Sequence, residues 1–562
     1  MLSNINYHNE FNIQILSNTT VNPLNEILEA FVRSFRMNPS VEFGNYDNIV
    51  QDSFSLEKAN LVIIFYDLMN IIEHAHINLE LLKEIEVREM IAKIKKEIQV
   101  IFNNLADQPL VLFNMFYPYK YNELHHFQSN LSFIARELNA FLAEQKTTNV
   151  ELIDIEKIIA TIGSKNAIEY KKFLKYKMLY SFQFFKSYVA SIDNMLLRCM
   201  GKVKKVIVFD CDNTLWKGIV GEDGIKGIEM SSDSAKGIYF HLVQKMAVEW
   251  SKKGILICLC SKNNWDDVMQ VIDTHEAMIL TSEYIISMKV NWTNKAENLR
   301  HLASELNLGL DSFVFIDDSD YEVNLVKTQL PEVLTIQVPK EIETYPIMLH
   351  EVVTRFFNLK PISEDLDKLN QYKQQKVRQD ALTDFGNIDD YLMSLGTTIK
   401  IYHNETEHIK RIAQLTQKTN QFNLTTRRYT EHEIEAYIKS DNTDLFSLEV
   451  KDNYGNSGIT GVAIISITKT QAMYIDTFLL SCRVISRNVE NAFLYFILDF
   501  YKSKGITSIQ AEYIESKKNI LVKDLYGNIG FDLDSEKQFS KRYSIQLENY
   551  NPRKEKTVQI IK

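Results

Sequence analysis

The chain has 562 residues, 45% of them hydrophobic and 24% charged, which is the make-up of folded globular domains rather than of a disordered chain. Its 18 glycines and 9 prolines are too few for collagenous, flexible-linker or proline-rich material. A formal net charge of −10 argues against nucleic acid as a general partner, because binding a phosphate backbone needs a positive field.

At about 150 residues per domain the length allows three or four domains. The opening, MLSNINYHNEFNIQ, lacks the basic-then-apolar plan of a signal peptide, and no window offers about eighteen consecutive apolar residues. The expectation is a cytoplasmic protein with no membrane partner. Cys199, Cys211, Cys258, Cys260 and Cys482 form no disulfide framework. Cys258 and Cys260, two apart in an apolar run, read as reduced thiols on one face of a buried strand.

In chain order, FNIQILSN predicts a first strand and NPLNEILEAFVRSF an amphipathic helix, its apolar residues falling at i, i+3, i+4 and i+7. ANLVIIFYD (59–67) is a buried strand, helices fill the stretch from Leu79 to about Ala106, and QPLVLFNMF (108–116) is a further strand. Residues 150–200 read as mostly helical and basic. A second segment, 201–362, holds the strands VIVFD (206–210), ILICLCS (255–261) and FVFID (313–317). Continuous apolar strands of this kind suit a parallel sheet covered on both faces. A charged connector without Gly or Pro, SEDLDKLNQYKQQKVRQDA, predicts a helical linker over 363–383. The last segment, 384–562, shows helices around His408–Gln417 and His432–Ser440, then the strands LFSLEVKD, GITGVAIISIT and AMYIDTFLLS, a long helix NVENAFLYFILDFYKSKG and a strand SIQAEYI. The fold class expected is multidomain α/β, with two α/β units followed by an α+β unit.

The strongest chemical signal is Val-Phe-Asp210-Cys-Asp212-Asn-Thr214. An apolar strand ends there in two carboxylates, at the edge where open α/β sheets bind ligands. One carboxylate can attack as a nucleophile while the next handles a proton. Ser261 closes a second strand, Lys295 opens a helix, and Asp317 and Asp318 close a third strand. A phosphoryl group carries dispersed negative charge, so a hydroxyl and a cation should hold its oxygens. Asp210, Asp212, Asp317 and Asp318 would repel one another without a hard divalent cation, for which Mg²⁺ is the natural choice. Lys289, in SMKVNW, is a rival to Lys295.

This set resembles the haloacid dehalogenase (HAD) superfamily of aspartate-nucleophile phosphotransferases. The resemblance implies Asp210 as nucleophile, Asp212 as general acid/base, Thr214 and Ser261 as phosphate contacts, Lys295 as charge clamp and Asp317 with Asp318 on the metal side. It also implies that the peptide carbonyl of Asp212 joins the metal shell. FDCDNTLWKGIVGEDG, KAENLRHLASELNLGLDSFVFIDDSDYE, TQKTNQFNLTTRRY and DTFLLSCRVISRNVENAFL resemble, more narrowly, the FkbH-like, HAD-IIIC group of natural-product pathways. That likeness extends over nearly the whole chain, because ILSNTTVNPL followed by a strand ending in Asp67 is the group's usual opening. It implies a central HAD-like Rossmannoid sheet flanked by an SGNH-like N-terminal domain (1–200) and a GNAT-like C-terminal domain. It further implies loading of a glyceryl unit from 1,3-bisphosphoglycerate onto the phosphopantetheine thiol of an acyl carrier protein. The alternative is a stand-alone Mg²⁺-dependent phosphomonoesterase whose third domain only binds.

The flanking domains depart from these patterns. An SGNH esterase needs a serine nucleophile and an Asp-x-x-His pair. Here the turn reads Leu16-Ser17-Asn18, and no Asp-x-x-His occurs in residues 1–200, since His125 and His126 follow Asn122 and Glu123. The expected role is docking or scaffolding, with Ser17 capping a helix or turn. The acetyl-CoA pyrophosphate loop of GNAT proteins is R/Q-x-x-G-x-G/A. This chain has Arg483-Val-Ile-Ser486-Arg487-Asn488, with side chains at both glycine positions, which suits the single phosphate of a phosphopantetheine arm better than a pyrophosphate. Cys482, just before that loop, is either buried packing or a thiolate at a helix start beside Arg483 and Arg487. Cys211 should point into the core by strand alternation. Arg427 and Arg428 are either a solvated face or a phosphate clamp, and with Arg483 and Arg487 they are the candidate basic patch for an acidic carrier protein.

Overall fold

The computed structural model describes residues 10–71, 79, 82–119, 129–359, 378, 387–467, 473–516 and 518–561. His125, His126 and, apart from Arg378, the 363–383 linker lie outside the described residues. The chain divides into two compact units, residues 1–200 with 430–433, and residues 201–429 with 434–562. No described helix is long and apolar enough to cross a membrane.

The first unit is built on a parallel sheet of order β2-β1-β3-β4-β5. Its strands are β1 (Glu10–Ser17), β2 (Asn38–Phe43), β3 (Leu61–Phe65), β4 (Val111–Asn114) and β5 (Val150–Ile153). β3 and β4 are buried at every position, because helices cover both faces of a parallel sheet. Its helices include α1 (Leu24–Ser34), α2 (Tyr170–Tyr176) and α3 (Phe182–Cys199). At the carboxyl edge, where strand order reverses between β1 and β3, the crevice is closed by polar contacts. Asn18 donates to the carbonyl of Asp67 at 2.9 Å and accepts from its N–H at 2.7 Å. Tyr180 donates to the Asp67 carboxylate at 2.6 Å, and burial holds that carboxyl above its ordinary pKa. Ser17 donates to the carbonyl of Thr19 and so braces a turn. The remaining cavity, beside Asn114 and Tyr117, is about 10 Å³, room for one water.

The second unit carries two sheets. The central one is parallel, order β10-β9-β6-β7-β8, with β6 (Val206–Phe209), β7 (Leu256–Ser261), β8 (Ile285–Val290), β9 (Phe313–Asp317) and β10 (Leu334–Gln337). Cys258 and Cys260 share one core with Val206 and Val208, while Cys211 lies in the other. Among the helices that flank it are α4 (Val220–Gly227), α5 (Gly237–Lys252), α6 (Trp265–Thr274), α7 (Lys295–Glu305) and α8 (Asp320–Gln329). The third sheet has eight strands in the order β16-β17-β15-β14-β13-β12-β11-β18. Its centre is an antiparallel meander of β12 (Thr443–Asp452), β13 (Gly455–Ile467) and β14 (Met473–Leu480), with β11 (Thr397–His403) outside β12. β15 (Ser508–Ile514) pairs with β14 in parallel, β16 (Asp532–Lys537) and β17 (Ser540–Gln546) extend that side, and β18 (Val558–Ile561) closes the other. Helix α9 (Val489–Ser503) packs its apolar face into the core of this sheet. The architecture is therefore mixed α/β, two parallel sheets followed by a mixed one.

At the amino edge of the central sheet, Lys204 donates to the carbonyls of Asp311 (2.7 Å) and Glu332 (3.2 Å). Burial pushes its pKa down to about 8, opposed by Asp311 and aided by Lys518 and Lys202. The unfolded chain, with an ordinary lysine near 10.4, binds more protons between these values. Stability should therefore rise with pH from about 8 to about 10. Relative to Lys204→Met, the gain should be on the order of 2 kcal/mol, read from urea melts of both proteins across that window. Parallel curves for the two proteins would disprove it.

Candidate active site

β6 and β9 are neighbours, and the pairing continues one residue past β6, where Asp210 N–H donates to Ile316 at 2.9 Å. This register sets Asp210 beside the end of β9, which carries Asp317 and then Asp318. Carboxylate oxygens of Asp210, Asp317 and Asp318 all lie within 4.8 Å of one another. Lys295, the first residue of α7, reaches between them, its Nζ 2.6 Å from Asp317 Oδ2 and 3.0 Å from Asp210 Oδ1. Asn294 fixes the start of that helix by accepting from Ala296 N–H at 2.8 Å. Asp317 also accepts from Ser319 N–H at 2.9 Å.

The electrostatics follow from this packing. Burial works against the charge of Lys295, but Asp210 and Asp317 outweigh it and hold the pKa above that of an ordinary lysine. Burial and Asp210 together push Asp317 up to about 6, with Lys295 opposing, and they raise Asp318 in the same sense. Three carboxylates with one ammonium leave negative charge uncompensated. Oxygen donors at this spacing suit a hard divalent cation.

Asp212 stands apart from that cluster. Its Oδ1 accepts from Trp216 Nε1 (2.8 Å) and Val220 N–H (3.1 Å), and its Oδ2 from Asn263 Nδ2 (2.7 Å). The expectation that four carboxylates would share a cation thus reduces to three side chains, because local donors hold the fourth. Burial raises the Asp212 pKa, the three donors opposing. Asn213 makes the separation possible. With φ of 50° it turns the chain back, and its side chain accepts from Gly218 N–H at 3.0 Å. The sequence alone does not point to Trp216 or Asn263; only the position of Asn263, two residues past the end of β7, is a signal for a role at the site.

Thr214 is fully buried, its hydroxyl unpartnered among the described residues. Ser261 is buried at the end of β7. Its hydroxyl meets the Cys211 thiol, which burial and Asp210 push well above its usual pKa. Cys211 is thus a core thiol. Lys289 pairs with Glu305 at 2.7 Å on the side of β8 and takes no part in the cluster.

The residues singled out in the third sheet come together differently. Asp452 receives three arginine contacts, Nε of Arg378 (2.7 Å), Nη2 of Arg378 (2.7 Å) and Nη1 of Arg487 (2.9 Å). Arg487 also donates to the carbonyl of Arg483. Burial, with Arg378 adding to it, pulls Arg487 down to about 10 against the pull of Asp452. Arg483 and Arg487 are both buried, so neither offers an open basic surface, contrary to the expectation of a docking patch. Arg427 pairs with Asp476 and Glu512. Arg428 lies against the backbone of Gly201, whose φ is 65°, and donates to Asn420 at 3.3 Å. Cys482 opens a one-turn 3₁₀ helix, seven residues before α9, and not at the start of that helix. Ser486 and Asn488 adopt φ of 64° and 60°, the left-handed conformation that glycine takes most easily.

β14 and β15 pair only over Met473–Ile475 and Ile509–Ala511. Past that point a segment of the chain enters between them. Leu480 N–H donates to Phe422 (3.0 Å), Leu424 N–H to Phe478 (3.1 Å) and Ile514 N–H to Leu424 (2.8 Å). Thr425 donates to the carbonyl of Asp476, and Asn519 to that of Asn423, both at 2.9 Å. The motif TNQFNLTTRRY therefore fills the opening with its own backbone.

The third sheet meets the central one at the edge opposite the carboxylates. Asn307, just past the end of α7, donates to the carbonyl of Cys482 at 2.7 Å, and Lys518 pairs with Asp311 just before β9. α7 starts at Lys295 in the carboxylate cluster and ends at Glu305, a run of about 16 Å. The cluster and Cys482 thus lie at opposite edges of the central sheet.

No protein-family model matches the chain, and no curated protein matches it. Among solved structures, it is similar to the N-terminal part of the protein BF1531 from Bacteroides fragilis, which contains a phosphatase domain and was crystallised with Mg. The identity is 20%, the TM-score 0.52, and the match covers 62% of this chain and 94% of that one. At this identity the likeness is one of fold. The ribosomal-protein-S18-alanine N-acetyltransferase from Escherichia coli matches at 13% identity and a TM-score of 0.22, over 27% of this chain and 99% of that one.

Proposed function

We propose that the chain is a Mg²⁺-dependent phosphatase/phosphotransferase that acts on a small phosphorylated three-carbon acyl donor, of the 1,3-bisphosphoglycerate type, and loads the glyceryl group on the phosphopantetheine arm of an acyl carrier protein. The observation that carries the phosphatase half is the buried cluster of Asp210, Asp317 and Asp318 clamped by Lys295. Asp210 attacks phosphorus, the P–O bond to the sugar-acid carbon breaks, and Asp212 gives its proton to the departing alkoxide. Asp212 then takes a proton from the water that releases phosphate from Asp210. Its raised pKa suits the first of these duties, and Trp216, Val220 and Asn263 hold its carboxyl group in one orientation. Asp210, Asp317 and Asp318 would hold Mg²⁺, which supplies positive charge against the phosphoryl oxygens. On this reading Lys295, held at the cluster by Asp210 and Asp317, clamps the phosphoryl charge, with Ser261 and Thr214 as its further contacts.

The acyl phosphate needs no aspartate. A thiolate can attack its carbonyl carbon, forming the C–S bond as the C–O bond to phosphate breaks, and the carrier thiolate then displaces the first sulfur. Cys482 is the proposed first thiol. Because it and the cluster lie at opposite edges of one sheet, the two steps occur on separate visits, and the carrier's arm moves the acyl group between them. The filled opening between β14 and β15 favours a second reading, a stand-alone phosphomonoesterase whose third domain does no chemistry.

Incubation with holo carrier protein and 1,3-bisphosphoglycerate, followed by intact-protein mass spectrometry, separates the two. The expected result is a glyceryl adduct on the carrier with the native chain, and phosphate release without an adduct for Cys482→Ala. Undiminished loading by that variant, or an adduct on Cys211, overturns the role of Cys482. Phosphate release with no adduct from the native chain leaves the second reading.

A further inference from the structure

Of the four arginines expected to meet an acidic partner, Arg483 and Arg487 are buried and Arg427 is paired with Asp476 and Glu512, while Arg428 is exposed; a larger basic surface lies in the first unit. Between Ser164 and Ser187 the sequence holds six lysines and one acid, Glu169, in a chain whose net charge is −10. α2 and the start of α3 display most of them, with Lys171, Lys172, Lys175, Lys177 and Lys186 exposed. Glu169 is paired with Lys172 at 2.6 Å.

Three large apolar side chains stand among these lysines, Leu174 (56% exposed), Tyr176 (58%) and Phe182 (45%). Lys175 lies over the Tyr176 ring at 5.0 Å and Lys186 over Phe182 at 4.9 Å. α2 buries Phe173, so Leu174 and Tyr176 form its outward face and are not a misplaced core. The patch is also fixed in place. Thr20, just past β1, donates through its hydroxyl to the carbonyl of Tyr176, and through its N–H to that of Lys177 (3.1 Å). Lys177 ends the helix at φ of 54°, held in that conformation by these contacts.

We propose that this face of the first domain is the docking surface for an acidic protein that also presents an apolar side chain, and that under the reading above the docked protein is the carrier. Exposed aromatic residues each covered by a lysine give the pattern of a transient interface, in which the charges steer and the rings hold. A small acidic domain addresses the patch alone, within about 10 Å of its lysines. An anionic membrane or a nucleic acid presents an extended negative surface, which the rest of this acidic chain repels.

The test uses the full chain and an acidic holo carrier protein as probe, with binding followed by fluorescence anisotropy of the labelled carrier. Reversal of three exposed lysines (Lys171→Glu, Lys175→Glu, Lys186→Glu) should weaken binding about tenfold or more, as should raising salt from about 50 to about 300 mM. Tyr176→Ala with Phe182→Ala should weaken it at unchanged salt dependence. Hydrolysis of a small phosphate ester should be unaltered in all variants, which also reports that they fold. Equal carrier affinity in native and charge-reversed chains overturns the proposal, as does lysine-dependent binding of phosphatidylserine vesicles or duplex DNA with none of the carrier. A carrier that binds through these lysines but is never loaded overturns the loading reaction and leaves the docking surface standing.

Discussion

Asp210→Asn should lower phosphate release from a three-carbon monoester by about a thousandfold or more, because the amide keeps the shape of the side chain and loses the attacking oxygen. The fold should survive. Asp210 is one of three carboxylates whose oxygens lie within 4.8 Å of one another, so replacing it with a neutral group relieves repulsion and should leave the melting temperature equal or higher. With 1,3-bisphosphoglycerate and carrier, the same variant should accumulate a phosphoglyceryl adduct, since the acyl phosphate reacts without Asp210. Phosphate assays and intact mass measure both effects. A variant that keeps most of its monoesterase activity would remove Asp210 from the reaction.

Lys295→Met should have the largest effect on stability. Its Nζ lies 2.6 Å from Asp317 and 3.0 Å from Asp210, all three side chains being buried. Removing one partner of a buried ionic set costs about 3–5 kcal/mol, because the remaining charges have neither water nor counter-ion. In chelator the variant should melt several degrees below the native chain. Added Mg²⁺ should return much of that loss, while phosphate release stays down by about a hundredfold or more, since the ammonium is no longer aimed at the phosphoryl group. Identical melting of both proteins in chelator would show that Lys295 does not balance the carboxylates.

The sequence displays some of this arrangement and conceals the rest for physical reasons. β6, β7 and β9 are short continuous apolar runs buried on both faces, and such runs announce a parallel sheet. β8, β10 and the edge strands β2 and β5 carry mixed residues because one side or one end is open, and no continuous apolar run marks them in the sequence. The same holds for β16, which is exposed along its whole length. The residues brought to Asp210 sit at strand ends, where position along the chain predicts position in space. What a carboxylate accepts from is harder to read. Nothing in Asp-Cys-Asp says that the second carboxylate turns to Trp216, Val220 and Asn263. The arginines show the same limit. Arg487, in the loop before α9, finds Asp452 at the end of β12, and a charge that looks free in the sequence is consumed by a partner 35 residues away.

The segment Phe422–Arg427 between β14 and β15 turns the third sheet's opening into a contest. An extended ligand seeking the amide hydrogens of Leu480 and Ile514 meets a rival already seated on them, joined to the domain at both ends. Tethering of this kind gives the rival an effective concentration in the millimolar range or above. Each loss of a hydrogen bond must also be made good at once, since unpaired backbone groups in the buried opening are costly. A free ligand that bound the empty opening in the micromolar range would therefore look far weaker against the intact chain. Its apparent affinity would measure how readily the segment lifts, more than how well the ligand fits.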